Sequence, residues 1–208
     1  MPILDFDCVL ITDRKQILDR DLLWVLEQAL DGGIKAIQLR EKDLEGTKLF
    51  FLAENIRRVT RAYGARLFIN DRIDVALATD ADGVQLGQSS IPVEAARKLL
   101  GAEKMIGAST HSLEEAQEAA QSGADFVFFG PVYFTASKAN YGLPQGLAML
   151  KKIVEKIALP VYAIGGIKPE NIVEVMRTGI RGVALISAIM SAHNPSEATG
   201  KILGLLRR

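Results

Sequence analysis

Short apolar runs alternate with longer stretches of helical period along the chain. The runs fall at 8–12, 36–39, 66–69, 83–86, 105–108, 126–130, 160–164 and 182–186 and are nearly continuous in Val, Ile, Leu and Phe. A run without polar alternation reads as a strand covered on both faces, as in a parallel sheet. Segments between them include 21–30, 47–63, 92–100, 112–121, 146–156 and 169–178. In the fifth of these, Leu147, Leu150, Ile153, Val154 and Ile157 recur three and four apart, the stripe of an amphipathic helix. Ser112 ahead of Leu113-Glu114-Glu115 has capping-box spacing, and Pro92 and Pro169 fall where a first helical turn tolerates proline. Gly32-Gly33, Gly123 and Gly179 are placed to end helices. Parallel strands need helical crossovers of one hand. Eight of them, each followed by a helix, predict an α/β chain folded as a single (β/α)8 TIM barrel over 1–208. A doubly wound open sheet is the competitor, but it rarely uses eight short strands so evenly spaced.

Composition narrows the function classes. At 208 residues the chain is near the lower end for a complete barrel, and no Pro/Ser/Gly-rich linker divides it. Lys+Arg and Asp+Glu are 25 each, and a formal net charge of zero argues against nucleic-acid or membrane-surface partners. Cys8, the sole cysteine, excludes an internal disulfide and reads as a small buried hydrophobe rather than a nucleophile. No run approaches about 20 apolar residues, and Met1-Pro2-Ile3-Leu4-Asp5 carries no basic leader, so a soluble cytoplasmic protein is expected. Self-association into a homo-oligomer is left open. No His/Cys cluster, Walker sequence or dinucleotide fingerprint occurs, so zinc and nicotinamide chemistry have no support.

Active sites of such barrels sit at the C-terminal ends of the strands, which directs the search to each strand's last residues. The second ends Gln38-Leu39-Arg40-Glu41-Lys42. If extended geometry persists to Lys42, then Gln38, Arg40 and Lys42 share a face, and two cations with an amide suit a polyphosphate and a heteroaromatic edge. A solvated basic loop is the plain alternative. The third ends Asn70-Asp71, a frequent helix cap that can coexist with binding, in which Asn70 hydrogen-bonds and Asp71 ligates a metal or its water. The fifth ends Ser109-Thr110-His111: Ser109 is read towards the pocket, Ser112 as a cap, and His111 as an acid/base candidate without an identified partner. After the sixth, the longest loop in the chain carries Thr135, Ser137 and Lys138, an anion-binding set in a candidate lid bracketed by Tyr133, Phe134 and Tyr141. The seventh ends Ile164-Gly165-Gly166 and the eighth Ile186-Ser187, the usual place of a barrel phosphate site.

Gln38-Leu39-Arg40-Glu41-Lys42, Ile69-Asn70-Asp71-Arg72, Asp82-Gly83-Val84-Gln85-Leu86-Gly87-Gln88, Gly130-Pro131-Val132 with Thr135-Ala136-Ser137-Lys138, and Ala163-Ile164-Gly165-Gly166-Ile167 arrive in order. Together they resemble the thiamine phosphate synthase family over almost the whole chain. The resemblance implies a transferase that couples hydroxymethylpyrimidine diphosphate to thiazole phosphate with release of pyrophosphate. It implies that Gln38, Arg40 and Lys42 bind the pyrimidine diphosphate with Asn70 beside it, and that Asp71 holds Mg²⁺. Ser109 and Lys138 would contact the diphosphate, so Lys138, Arg40 and Ser109 are the catalytic candidates. Thr135 and Ser137, with the backbones around Gly165, Gly166, Ile186 and Ser187, would hold the thiazole phosphate. Ser90 stands where the family usually has an acidic residue of the Mg²⁺ shell. Either Asp71, diphosphate and water hold the metal alone, or that chemistry is lost, because serine is a poorer ligand for a hard cation. The related thiazole tautomerase, which uses a histidine where this chain has Pro131, and a non-catalytic thiamine-phosphate-binding paralogue are the alternatives.

Overall fold

A computed structural model of the chain describes residues 4–135 and 143–207. Eight parallel strands close into a barrel in sequence order: β1 (Cys8–Ile11), β2 (Ala36–Leu39), β3 (Arg66–Asn70), β4 (Gly83–Leu86), β5 (Met105–Thr110), β6 (Phe126–Phe129), β7 (Val161–Ile164) and β8 (Gly182–Leu185), with β8 paired back to β1. Around them run α1 (Leu22–Asp31), α2 (Gly46–Ala62), α3 (Ile73–Ala78), α4 (Val93–Leu100), α5 (Leu113–Gln121), α6 (Gly146–Lys156), α7 (Ile172–Met176), α8 (Ser187–Met190) and α9 (Pro195–Leu206). The (β/α)8 expectation is borne out. Cys8 is buried in the layer between strands and helices, and burial pushes its thiol up to about 12, fitting a packing role.

Several local expectations change. The segment 169–178 shortens to α7, because Asn171 accepts from the Lys168 N–H at 2.8 Å and donates to the Gly166 carbonyl at 3.0 Å, building a turn where a first helical turn was expected. Pro169 therefore precedes the helix, and Pro92 sits at the N-cap of α4 rather than in its first turn. Ser112 caps α5 as expected, accepting from the Glu115 N–H at 3.1 Å.

Two separate apolar cores follow from alternation along the strands. Outward residues such as Ile37, Leu67, Val84, Ile106, Val127 and Val183 pack with the helices. Inward residues form a second cluster including Val9, Ile11, Phe68, Phe126, Phe128, Tyr162 and Ala184. Phe6 lies at the N-terminal mouth, where the Tyr162 hydroxyl donates to its carbonyl at 2.8 Å. Phe6, Phe68, Phe126 and Tyr162 meet with ring centroids 5.4–6.0 Å apart. Following the strand registers around the closed barrel puts Gln38, Gln85, Phe128 and Ala184 at one level, and Asn70, Ser109, Ile164 and Ile11 above them. Such layers of four from alternate strands fill barrels of this kind. Here the lower levels are aromatic and the upper ones turn polar on one side, from β2 to β5.

Candidate active site

The polar side begins with Gln38, 2 % exposed, whose Nε2 donates to Asn70 Oδ1 at 2.9 Å. Asn70 Nδ2 donates in turn to Asp71 Oδ2 at 2.7 Å. The other oxygen, Asp71 Oδ1, accepts from the Ser90 hydroxyl in a short contact and from the Gly87 N–H at 3.4 Å. Gln38, Asn70, Asp71 and Ser90 are thus one hydrogen-bonded chain across the ends of β2, β3 and β4. Asp71 has φ +61°, a left-handed conformation uncommon for a residue with a side chain. The capping alternative for Asn70-Asp71 is overturned: Arg72 is the N-cap of α3, which has no side-chain cap.

Lys42 departs from the expected strand extension. The Leu44 N–H bonds the Glu41 carbonyl at 3.1 Å, so the chain turns after Glu41 and Lys42 does not continue the face of Gln38 and Arg40. Lys42 instead lines a cleft of about 270 Å³ together with Glu41, Asn70, Asp71 and Arg72. Glu41, between the two cations in sequence, is paired with Arg14, with Nε–Oε2 at 3.1 Å and its side chain 4 % exposed. Asp43 also pairs with Arg14, at 3.2 Å. Arg40 and Lys42 consequently have no ion-pair partner among the described residues. Arg40 is half-buried, its N–H held by Thr12 Oγ1 at 2.9 Å.

A second, larger cavity of about 610 Å³ opens over the other half of the rim. Ser109, Thr135, Gly165, Gly166, Ile186 and Ser187 all line it, which brings together six of the expected site residues. Phe128, Ile164 and Ala184 supply apolar surface, and Gln16, His111, Pro131 and Lys168 complete the wall. No Asp or Glu is among the described residues that line it, whereas Lys168 is a cation on it. Gly165 and Gly166 have φ +92° and +67°. A Cβ at Gly165 would lie 2.6 Å from Pro131, and one at Gly166 would lie 2.7 Å from Tyr133, so only glycine lets the loops after β6 and β7 close on each other. Burial, with the charge of Glu174, raises the Tyr133 phenol above its ordinary value. Ser137 and Lys138 lie outside the described residues.

Three features escape the reading of strand ends. His111 has a partner: its Nδ1 lies 3.3 Å from Glu115 Oε2, which also accepts the His111 N–H at 2.6 Å. Gln88 donates both to Glu115 Oε2 at 2.9 Å and to the Ser109 carbonyl at 3.0 Å. Gln85, buried within β4, donates to Ser109 Oγ at 3.0 Å. A polar residue at the inward position of an apolar run was the available signal for the last. Among the described residues no helix is long and apolar enough to cross a membrane.

Comparison with known proteins agrees with this geometry. A Clostridium novyi thiamine-phosphate synthase is 46 % identical over 187 residues, 90 % of this chain and 92 % of that one. A Geobacter sulfurreducens relative, named provisionally for the same activity, is 52 % identical over 202 residues, 97 % and 95 % of the two chains. Among solved structures, a thiamine phosphate pyrophosphorylase from Pyrococcus furiosus superposes with a TM-score of 0.89 at 40 % identity, covering 97 % of this chain and 96 % of that one. A 3-hexulose-6-phosphate synthase, at 21 % identity and a TM-score of 0.71, shares the fold alone. The profile of the thiamine monophosphate synthase family matches residues 8–189, and the chain, with both halves of its rim in place, belongs to that family.

Proposed function

We propose that the chain couples hydroxymethylpyrimidine diphosphate to thiazole phosphate, giving thiamine phosphate and pyrophosphate, as a Mg²⁺-dependent cytoplasmic transferase. The observation that carries this reading is the division of the rim: Arg40 and Lys42, without an ion-pair partner among the described residues, beside the Asn70–Asp71 chain on one side, and a cavity with no carboxylate among its described lining residues under Gly165-Gly166 and Ser187 on the other. Two anionic substrates need two such places. The residues fit a hard dication. Asp71 presents a carboxylate at the rim with Ser90 and Asn70 on its oxygens, and Asp71 would hold the ion with substrate oxygens and water. Mg²⁺, when bound, would neutralise charge on the departing diphosphate.

The side chains divide the remaining work. Gln38 Oε1 is buried with no partner among the described residues, an acceptor for an N–H of the aminopyrimidine. Arg40, Lys42, Ser109 and, from the loop after β6, Lys138 take the diphosphate. Thr135, Ser137, Ser187 and the backbone at Gly165, Gly166 and Ile186 take the thiazole phosphate. As the methylene C–O bond breaks, its electron pair leaves with pyrophosphate and the thiazole nitrogen forms the new C–N bond. Charge neutralisation and placement carry such a step more than a general base does. Pro131 lines the cavity and offers no proton, which speaks against an isomerase.

Incubation of the purified chain with both substrates and Mg²⁺ tests the reading; no thiamine phosphate above background would sink it. Ser90→Asp provides a sharper probe of the metal. It places a second carboxylate against Asp71, so the melting temperature should fall in metal-free buffer and recover with Mg²⁺, and half-maximal activity should need less Mg²⁺. An unchanged Mg²⁺ requirement would place position 90 outside the metal's reach.

A further inference from the structure

Ser109 borders the large cavity, yet nothing in its own strand fixes which way its hydroxyl points. That direction is set from β4. Gln85 is 2 % exposed, and its Nε2 donates to Ser109 Oγ at 3.0 Å. Its Oε1 has no hydrogen-bond partner among the described residues. The oxygen occupies the space above Gly107: a Cβ there would overlap Gln85 Oε1 and come within 2.5 Å of the Phe126 ring. With the oxygen in that space, the NH₂ is turned towards Ser109. The absent side chain at Gly107 leaves the room that this amide takes up.

A hydroxyl has one proton to give. With Gln85 filling a lone pair of Oγ and Gln88 Nε2 holding the Ser109 carbonyl at 3.0 Å, the Ser109 proton has no acceptor among the described residues. We propose that Gln85 is a positioning residue that presents Ser109 to the cavity as a hydrogen-bond donor to the leaving diphosphate oxygen. The inference rests on the coupling reaction proposed above and adds a residue to it. As the C–O bond breaks and the electron pair moves onto that oxygen, Ser109 strengthens its hydrogen bond and keeps its proton. An orphaned buried acceptor costs stability. Retaining Gln85 there makes sense where the direction of the neighbouring hydroxyl matters more than that cost.

The test is a double-mutant cycle in the coupled assay, reading pyrophosphate release in single turnover. Gln85→Leu should lower the rate of the chemical step about tenfold, with the KM of either substrate changed less than about twofold. Ser109→Ala should lower it about a hundredfold. In the Ser109→Ala background, Gln85→Leu should have no further effect, because Gln85 acts through that hydroxyl. Gln85→Leu also removes an unsatisfied oxygen, so its melting temperature should stay at or above that of the parent. Gln85→Met retains the length without the amide donor, so it should lose about as much as Gln85→Leu. It carries the test if the leucine variant does not fold. Losses that add in the double mutant, or a full chemical rate in Gln85→Met, would overturn the assignment while leaving the coupling activity standing. A parent chain that releases no pyrophosphate would overturn both.

Discussion

Asp71→Asn is expected to lower kcat by about a hundredfold or more while the protein stays folded. The fold should tolerate it because Asp71 sits at φ +61°, a region that asparagine enters more readily than other side chains. The loss has two sources. The carboxylate is the metal ligand of the proposed site, and an amide carries no charge to hold a hard dication. The carboxylate also sets the direction of the Gln38–Asn70–Asp71 chain. As a pure acceptor it makes Asn70 donate through Nδ2, which makes Gln38 donate to Asn70 Oδ1 and leaves Gln38 Oε1 free for the substrate ring. An asparagine at 71 both donates and accepts, so the chain can reverse and turn an NH₂ where the ring needs an acceptor. Steady-state rates with both substrates, together with thermal denaturation, check this: kcat should collapse, KM for the pyrimidine diphosphate should rise, and the melting temperature should hold. A kcat within threefold of the parent would remove Asp71 from the metal shell.

The second large effect belongs to the opposite end of the barrel. Asp82, immediately before β4, accepts from Arg57 at 2.6 Å, from Arg66 at 3.2 Å and from the Leu67 N–H at 2.8 Å. Its side chain and that of Arg57 are each 13 % exposed. Asp82→Ala leaves a mostly buried guanidinium without its anion and takes the acceptor from the Leu67 N–H near the start of β3. A loss of about 3 kcal/mol, or ~6–12 °C in melting temperature, is expected. Activity per folded molecule should change less than about twofold, because the N-terminal face of such a barrel carries stability and the C-terminal face carries chemistry. Parallel loss of kcat at a temperature where the variant is fully folded would contradict that division. Asp125 repeats the device before β6, bonding the Ile106 N–H at 2.7 Å and Arg97 at 2.5 Å.

The strands were legible because burial on both faces makes them apolar throughout, and FVFF at 126–129 has no other use. The short helices were not: α3 has six residues and α8 four, less than two turns, too few for a period to show. Gln38, Asn70 and Ser109 were legible from the strand ends, since each is the last inward-facing residue of its strand. Lys42 was misplaced because the chain turns after Glu41, whose carbonyl accepts from the Leu44 N–H and whose carboxylate pairs with Arg14, 27 residues away. Gln85 was passed over for a related reason. Its meaning comes from Ser109 on the next strand and from a missing side chain at Gly107, neither of which a single strand records.

The aromatic packing of Phe6, Phe68, Phe126 and Tyr162 makes the barrel a vessel with one mouth. Ligands enter and leave at the rim, and so does the water they displace. In the proposed reaction a ring over Gln38 would have to arrive before anything that covers it, and the product would have to clear the rim before the next ring entered. Order of addition would then be a matter of traffic imposed by the closed floor.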